Sequence, residues 1–156
     1  MGLMDKKGSE VPASMPDGTY DFTIANVNLK DVTEKDTENV TGWRLCVIQL
    51  QINEGSYAGD RAPDFFRYPA NEEVEDTMTD NEAMRLKMDI RRASQLQSAL
   101  GVDVAMKDFF EHELPSRLIG STVRAAIKTN KSGFRNFVYG ESDSKPTKGV
   151  AEDVPF

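Results

Sequence analysis

The chain has 156 residues, 38% of them hydrophobic, and a formal net charge of −7, which suits one domain with a modest core. No apolar run approaches the length that spans a bilayer, the lone Cys46 excludes an internal disulfide and fits a reducing cytoplasm, and one Cys with one His is too few for a structural zinc site. The acidic balance argues against bulk attraction of nucleic acid, although local fields count for more than the total.

Residues 1–17 mix charge, Gly and Pro without periodicity and lack the apolar core of a secretory signal, so they read as a flexible arm. Pro16-Asp17-Gly18 is a turn that launches a strand over residues 19–29. Tyr20, Phe22 and Ile24 lie on one face of it, with Asp21 and Thr23 on the other. Residues 30–42 carry Asp31, Glu34, Asp36 and Glu38 with no apolar period, and read as a long mobile loop. Residues 43–53 form the strongest strand. Cys46, Ile48, Leu50 and Ile52 make one apolar face, while Trp43, Leu45, Val47, Gln49 and Gln51 make a face that is apolar at one end and polar at the other. Residues 57–68 read as a third strand, broken at Pro63 as an edge or a bulge would be. Phe65, Phe66, Arg67 and Tyr68 gather aromatics around a base; core packing with a snorkelling Arg is the plain alternative for them, as core packing is for Trp43.

Residues 71–82 are acidic and read as a solvated linker. Thr79 and Glu82 have the spacing of a capping box, opening a helix that runs to about Leu100 and stops at Gly101. Leu86, Ile90, Ala93 and Leu100 follow its buried face, and Arg85, Lys87, Arg91 and Arg92 read as solvating charges. A short helix follows over residues 106–113, ended by Pro115. His112, between Glu111 and Glu113, reads as a solvated side chain.

The sign of the charge then reverses. Between Leu114 and Gly140 there is no Asp or Glu, but there are Arg117, Arg124, Lys128, Lys131 and Arg135. Val123, Ala125 and Ile127 alternate with Arg124, Ala126 and Lys128; Asn130-Lys131-Ser132-Gly133 turns; and residues 134–139 return, making a β-hairpin. Basic side chains between aromatics suit a single-stranded nucleic acid, because Lys and Arg neutralise phosphates and rings stack on unpaired bases. A hairpin with solvated Lys and Arg outside and aromatics inside is the plain alternative. Two registers remain open. Either Phe134 and Val138 are inside and Phe137 and Tyr139 stack on bases, or Phe137 and Tyr139 are core and Phe134 is the exposed ring.

The order strand, strand, strand, helix, strand, strand is that of an OB-fold, a five-stranded Greek-key barrel with a helix between the third and fourth strands. The expected organisation is thus an arm over 1–17, a mainly β OB-fold domain over 18–140, and a disordered acidic tail over 141–156, which is rich in Ser, Asp, Lys, Pro and Gly. No Gly-rich phosphate loop, paired-histidine metal motif or Ser/His/Asp arrangement is present, so neither catalysis nor a cofactor or metal is expected.

The chain ends Glu152-Asp153-Val154-Pro155-Phe156, an acidic pair followed by an apolar residue, Pro and Phe. This resembles the tip of bacterial single-stranded DNA-binding proteins. Pro16-Asp17-Gly18-Thr19-Tyr20 and Leu118-Ile119-Gly120-Ser121-Thr122-Val123 resemble elements of small phage proteins of the same function. The resemblance implies a phage single-stranded DNA-binding protein in the host cytoplasm. It would act in replication, recombination or repair, with residues 152–156 recruiting other proteins of those processes. The phosphate contacts expected are Arg67, Arg124, Lys128, Lys131 and Arg135, and the stacking rings Trp43, Phe66, Phe137 and Tyr139. The alternative is an adaptor that mimics the host tail and binds no DNA. Whether the chain is a monomer, a homodimer or a cooperative coat is left open, as no self-complementary patch stands out.

Overall fold

The structure, a computed structural model, describes residues 15–140 together with Met4 and Lys7. Of the expected arm over 1–17, residues 1–14 lie outside the described residues apart from those two, as does the expected tail over 141–156. β1 (Gly18–Thr33), β2 (Val40–Ile52) and β3 (Arg61–Pro69) form an antiparallel meander. α1 (Glu72–Asp76), α2 (Asp80–Leu100) and α3 (Met106–Asp108) follow. α3 runs directly into a wider π-helical segment, Phe109–Leu118. β4 (Thr122–Thr129) and β5 (Arg135–Tyr139) form the closing hairpin. The sheet order is β3-β2-β1-β4-β5. The fold is therefore mainly β, with helices between the third and fourth strands. Its antiparallel sheet is curled into an open half-barrel whose edges are β3 and β5.

β1 holds the two halves together because it serves them in turn. Residues 18–23 pair with β4, and residues from Phe22 onward pair with β2, so only Phe22 and Thr23 face both neighbours. A shift of register between Ile24 and Asn26 bends the strand at the changeover, as a β-bulge does. The loop expected over residues 30–42 is largely strand instead. Lys30 pairs with Leu45, Asp31 with Arg44 and Thr33 with Val40, leaving residues 34–39 as the turn. A ribbon open to solvent on both sides needs no apolar period, so its polar sequence concealed it. The three residues before β1 are fastened as well: Met15 is buried in the core, and both carboxylate oxygens of Asp17 accept from Thr129, at 2.9 and 2.7 Å.

Inside the curl, Phe22, Ile24, Cys46, Ile48, Leu50, Ile52, Phe66 and Ile127 are fully buried. Burial pushes the Cys46 thiol up to about 12, so it stays protonated and unreactive in the fold. α2 closes the core as its cap signals indicate: Glu82 N–H donates to Thr79 Oγ1 at 3.2 Å, Thr79 N–H donates to Glu82 Oε1 at 2.9 Å, and Gly101 ends the helix at φ 72°. The acidic linker is in part a helical turn, α1, capped by the Asn71 side chain, which accepts from Val74 N–H at 3.0 Å. Pro115 does not end the helix before it, as expected; the wider winding carries on to Leu118. An α-helical turn would set the proline ring against the carbonyl four residues back, and π winding moves that carbonyl away. Phe109, Phe110, Leu114 and Leu118 are the buried residues of this segment, with Phe110 stacked on Tyr68 at 4.9 Å.

The two edges are joined by side chains. Asp64 on β3, only 7% exposed, accepts from the Tyr139 hydroxyl on β5 at 2.5 Å and from Arg92 of α2 at 3.1 Å. Arg92 also donates to the Phe65 carbonyl, and Asp89 accepts the Arg67 N–H at 3.0 Å. α2 thus satisfies backbone groups on the edge of β3 that a sixth strand would otherwise take. Arg92, expected as a solvated charge, is enclosed here and lies 4.5 Å from the Phe66 ring centroid.

Candidate nucleic-acid interface

In an antiparallel sheet, residues directly opposite one another share a face. The registers therefore assemble the outward face of β1, β2 and β3 row by row. Lys30, Leu45 and Arg67 form the first row. Asn28, Val47 and Phe65 form the second, and Asn26, Gln49 and Pro63 the third. Thr23, Gln51 and Arg61 form the fourth, which Thr122 extends onto β4. Every residue of the β1, β2 and β3 rows is exposed or half-buried, while their neighbours on the other parity form the core. Those four rows hold three cations, four amides and no carboxylate, on a chain of net charge −7; Asp21, two residues before Thr23 on the same side of β1, comes next and faces Arg124. Phe65 stands within the rows at 50% exposure, and Arg67 sits 5.6 Å from the Trp43 ring centroid. Two groups of acids among the described residues stand away from these rows: Glu34, Asp36 and Glu38 at the ribbon tip, and Glu72, Glu73 and Glu75 on α1.

The sequence-predicted stacking rings fall mostly inside. Phe66 is fully buried, packed against Phe110 at 5.4 Å. Phe137 and Tyr139 are core residues stacked on each other at 5.9 Å, and Tyr139 is further committed to Asp64. Trp43 is 6% exposed and offers little beyond its contact with Arg67. These four cannot present an open ring face to a base in this conformation. The second of the two hairpin registers is the one adopted, with Phe134 as the exposed ring, at 70%. Phe65 rather than Phe66 is the exposed ring of β3: in a strand a one-residue step exchanges inside for outside, and the sequence has Phe at both positions.

The predicted cations divide. Arg67 is on the outward face. Arg124 and Lys128 alternate along β4 on the side away from the core, Arg124 lying 3.9 Å from Asp21. Arg135 pairs with Thr129 on the opposite side of the hairpin and donates to the Met15 carbonyl. Lys131 is exposed in the turn, where Asn130 Oδ1 accepts from the N–H groups of Ser132 and Phe134 at 2.9 and 3.0 Å, holding Lys131 and Phe134 on one tight tip. The hairpin is therefore not one basic surface, and the outward sheet face, with Lys30, Arg61 and Phe65, is what residue-by-residue reading missed. Its signal was present as the even-odd partition of 61–67 and 43–51, but which parity faces out depends on pairing. Residues 152–156 lie outside the described residues. No protein-family model matches the chain, and no curated protein matches it either.

Proposed function

We propose that the chain binds single-stranded DNA, without base-specific readout along most of its path and without catalysis. The strand would lie across the outward face of β1, β2 and β3, with the β4–β5 turn as a second contact. The observation that carries this reading is the run of four carboxylate-free rows across the sheet, with an exposed Phe65 among them, on an otherwise acidic chain. Phosphates would meet Lys30, Arg61, Arg67 and Lys131, and bases would meet Phe65 and Phe134, in the manner of positively charged grooves with aromatic platforms. On this reading the half-barrel is an OB-fold whose β3–β5 seam is bridged by α2 and by Asp64 rather than by a backbone ladder. The resemblance of the chain's end to bacterial single-strand binders supports a phage role in replication, recombination or repair, in which residues 152–156 recruit partner proteins.

The test is anisotropy of a labelled oligo-dT against a duplex of equal length. Binding of the single strand that weakens with salt, and feeble binding of the duplex, is the expected result. Lys30→Glu with Arg61→Glu should abolish it, while deletion of 152–156 should leave it intact or strengthen it. The net charge of −7 favours a second reading, an adaptor that works through its tail alone. No binding to oligo-dT with or without 152–156 would overturn the first reading and make the tail's protein partner the next question.

A further inference from the structure

Beside the sheet face, a cleft of about 270 Å³ opens between β3 and α2. Leu45, Phe65 and Arg67 line it from the sheet, and Arg85, Leu86 and Asp89 line it from the helix. Its chemistry is mixed in a particular way. Leu45, Leu86 and the half-exposed Phe65 ring make apolar walls. Arg67 and Arg85 bring donors, and the Asp89 carboxylate brings an acceptor. Asp89 accepts once from Arg67 N–H at 3.0 Å and once from Arg92 at 3.2 Å, on different oxygens. An ionised carboxylate has about four lone-pair sites, so acceptor capacity is left over.

A phosphate does not fit this set, because Asp89 would repel it. A planar ring with both acceptors and N–H donors on its edge does. We infer that the cleft takes a single nucleobase turned out of the strand, flat against Phe65, its edge between Arg85 and Asp89. This rests on the binding path proposed above and adds to it a built pocket on the helix, α2, that flanks the sheet. Unstacked bases held on aromatic rings or guanidinium planes and bonded along their edges are a general mode of single-strand recognition.

The test compares two oligomers with equal numbers of phosphates, oligo-dC and an abasic deoxyribose-phosphate chain. Stacking on a ring contributes about 1–3 kcal/mol per base, so the wild type should prefer oligo-dC by about fivefold or more. Phe65→Ala and Arg85→Ala should each reduce that preference severalfold, because each removes one wall of the cleft. Arg61→Ala should weaken both oligomers equally and leave the ratio unchanged. If the preference survives in both Phe65→Ala and Arg85→Ala, the cleft holds no base, although the binding path stands. If neither oligomer binds the wild type, the path itself fails and the cleft with it.

Discussion

Asp64 and Arg92 show how one residue pair can decide whether the half-barrel holds its shape. Removing one member of a buried ion pair leaves the other charge uncompensated, at a cost of about 3–5 kcal/mol. Arg92→Met keeps the length of the stem but removes the cation, so its unfolding free energy, from urea titration, should fall by an amount in that range; a change confined to a few tenths of a kcal/mol would mean that water reaches Asp64. Burial pushes the Asp64 carboxyl above its ordinary value, against the pull of the Arg92 charge, the Tyr139 hydroxyl and the Phe65 N–H. Since the folded value is the higher one, the contribution of Asp64 to stability is complete below the unfolded value of 3.8 and is lost as pH rises through the raised one. Relative to Asp64→Asn, the wild type should lose ground over the pH interval that opens at the unfolded value and runs upward. Paired urea titrations across that interval check this, and a constant difference would refute it. None of this was legible in the sequence, where Asp64 is one acid beside Pro63 and Arg92 one of four cations on a helix. Their meeting requires β3 and α2 to be packed first.

At the scale of elements, the signals that the structure bears out are mostly local ones. The capping box of α2, its glycine stop and the apolar face of β2 are all encoded within a few residues of where they act. What could not be read depends on partners distant in the chain. The polar ribbon formed by the ends of β1 and β2 is held by its backbone ladder, and the π-helical passage through Pro115 is held by four buried apolar side chains. The ribbon also makes a functional forecast possible. Its tip carries Glu34, Asp36 and Glu38 beyond the row that holds Lys30 and Arg67. Carboxylates there oppose an incoming phosphate backbone. A triple Glu34→Gln, Asp36→Asn, Glu38→Gln variant should bind oligo-dT severalfold more tightly at low salt and lose the advantage at high salt, where the Debye length shrinks to about 3 Å at 1 M. An unchanged affinity at low salt would place the strand away from the ribbon.

For the molecule as a whole, the relevant quantity is the separation of charge. A net charge of −7 coexists with four carboxylate-free rows on the sheet, while groups of acids stand at the ribbon tip and on α1. If Lys30, Arg61, Arg67 and Lys131 each neutralise one phosphate, the slope of log K against log salt should be about −3 for a single strand, from roughly −0.7 per contact. A slope near zero would remove the electrostatic basis of the proposal. Composition alone pointed away from nucleic acid, and the hairpin's run of cations pointed toward it. The three-dimensional arrangement divides that run between two sides and moves the weight to a sheet face whose cations lie far apart in sequence.

The double duty of β1 has a kinetic consequence. Its second half meets β2 across a short turn, but its first half waits for β4, and Asp17 and Thr129 are 112 positions apart. Pairings that distant carry a high loop-closure cost, and chains dominated by them fold in milliseconds to seconds rather than microseconds. On a ribosome, the meander of β1, β2 and β3 can assemble early. The edge of β1 over residues 18–23 must then stay unpaired until β4 emerges, some fifty residues after β3 ends. During that interval the nascent chain exposes a strand edge beside a half-formed core, so the slowest and most aggregation-prone moment in the life of this protein falls before its last hairpin is made.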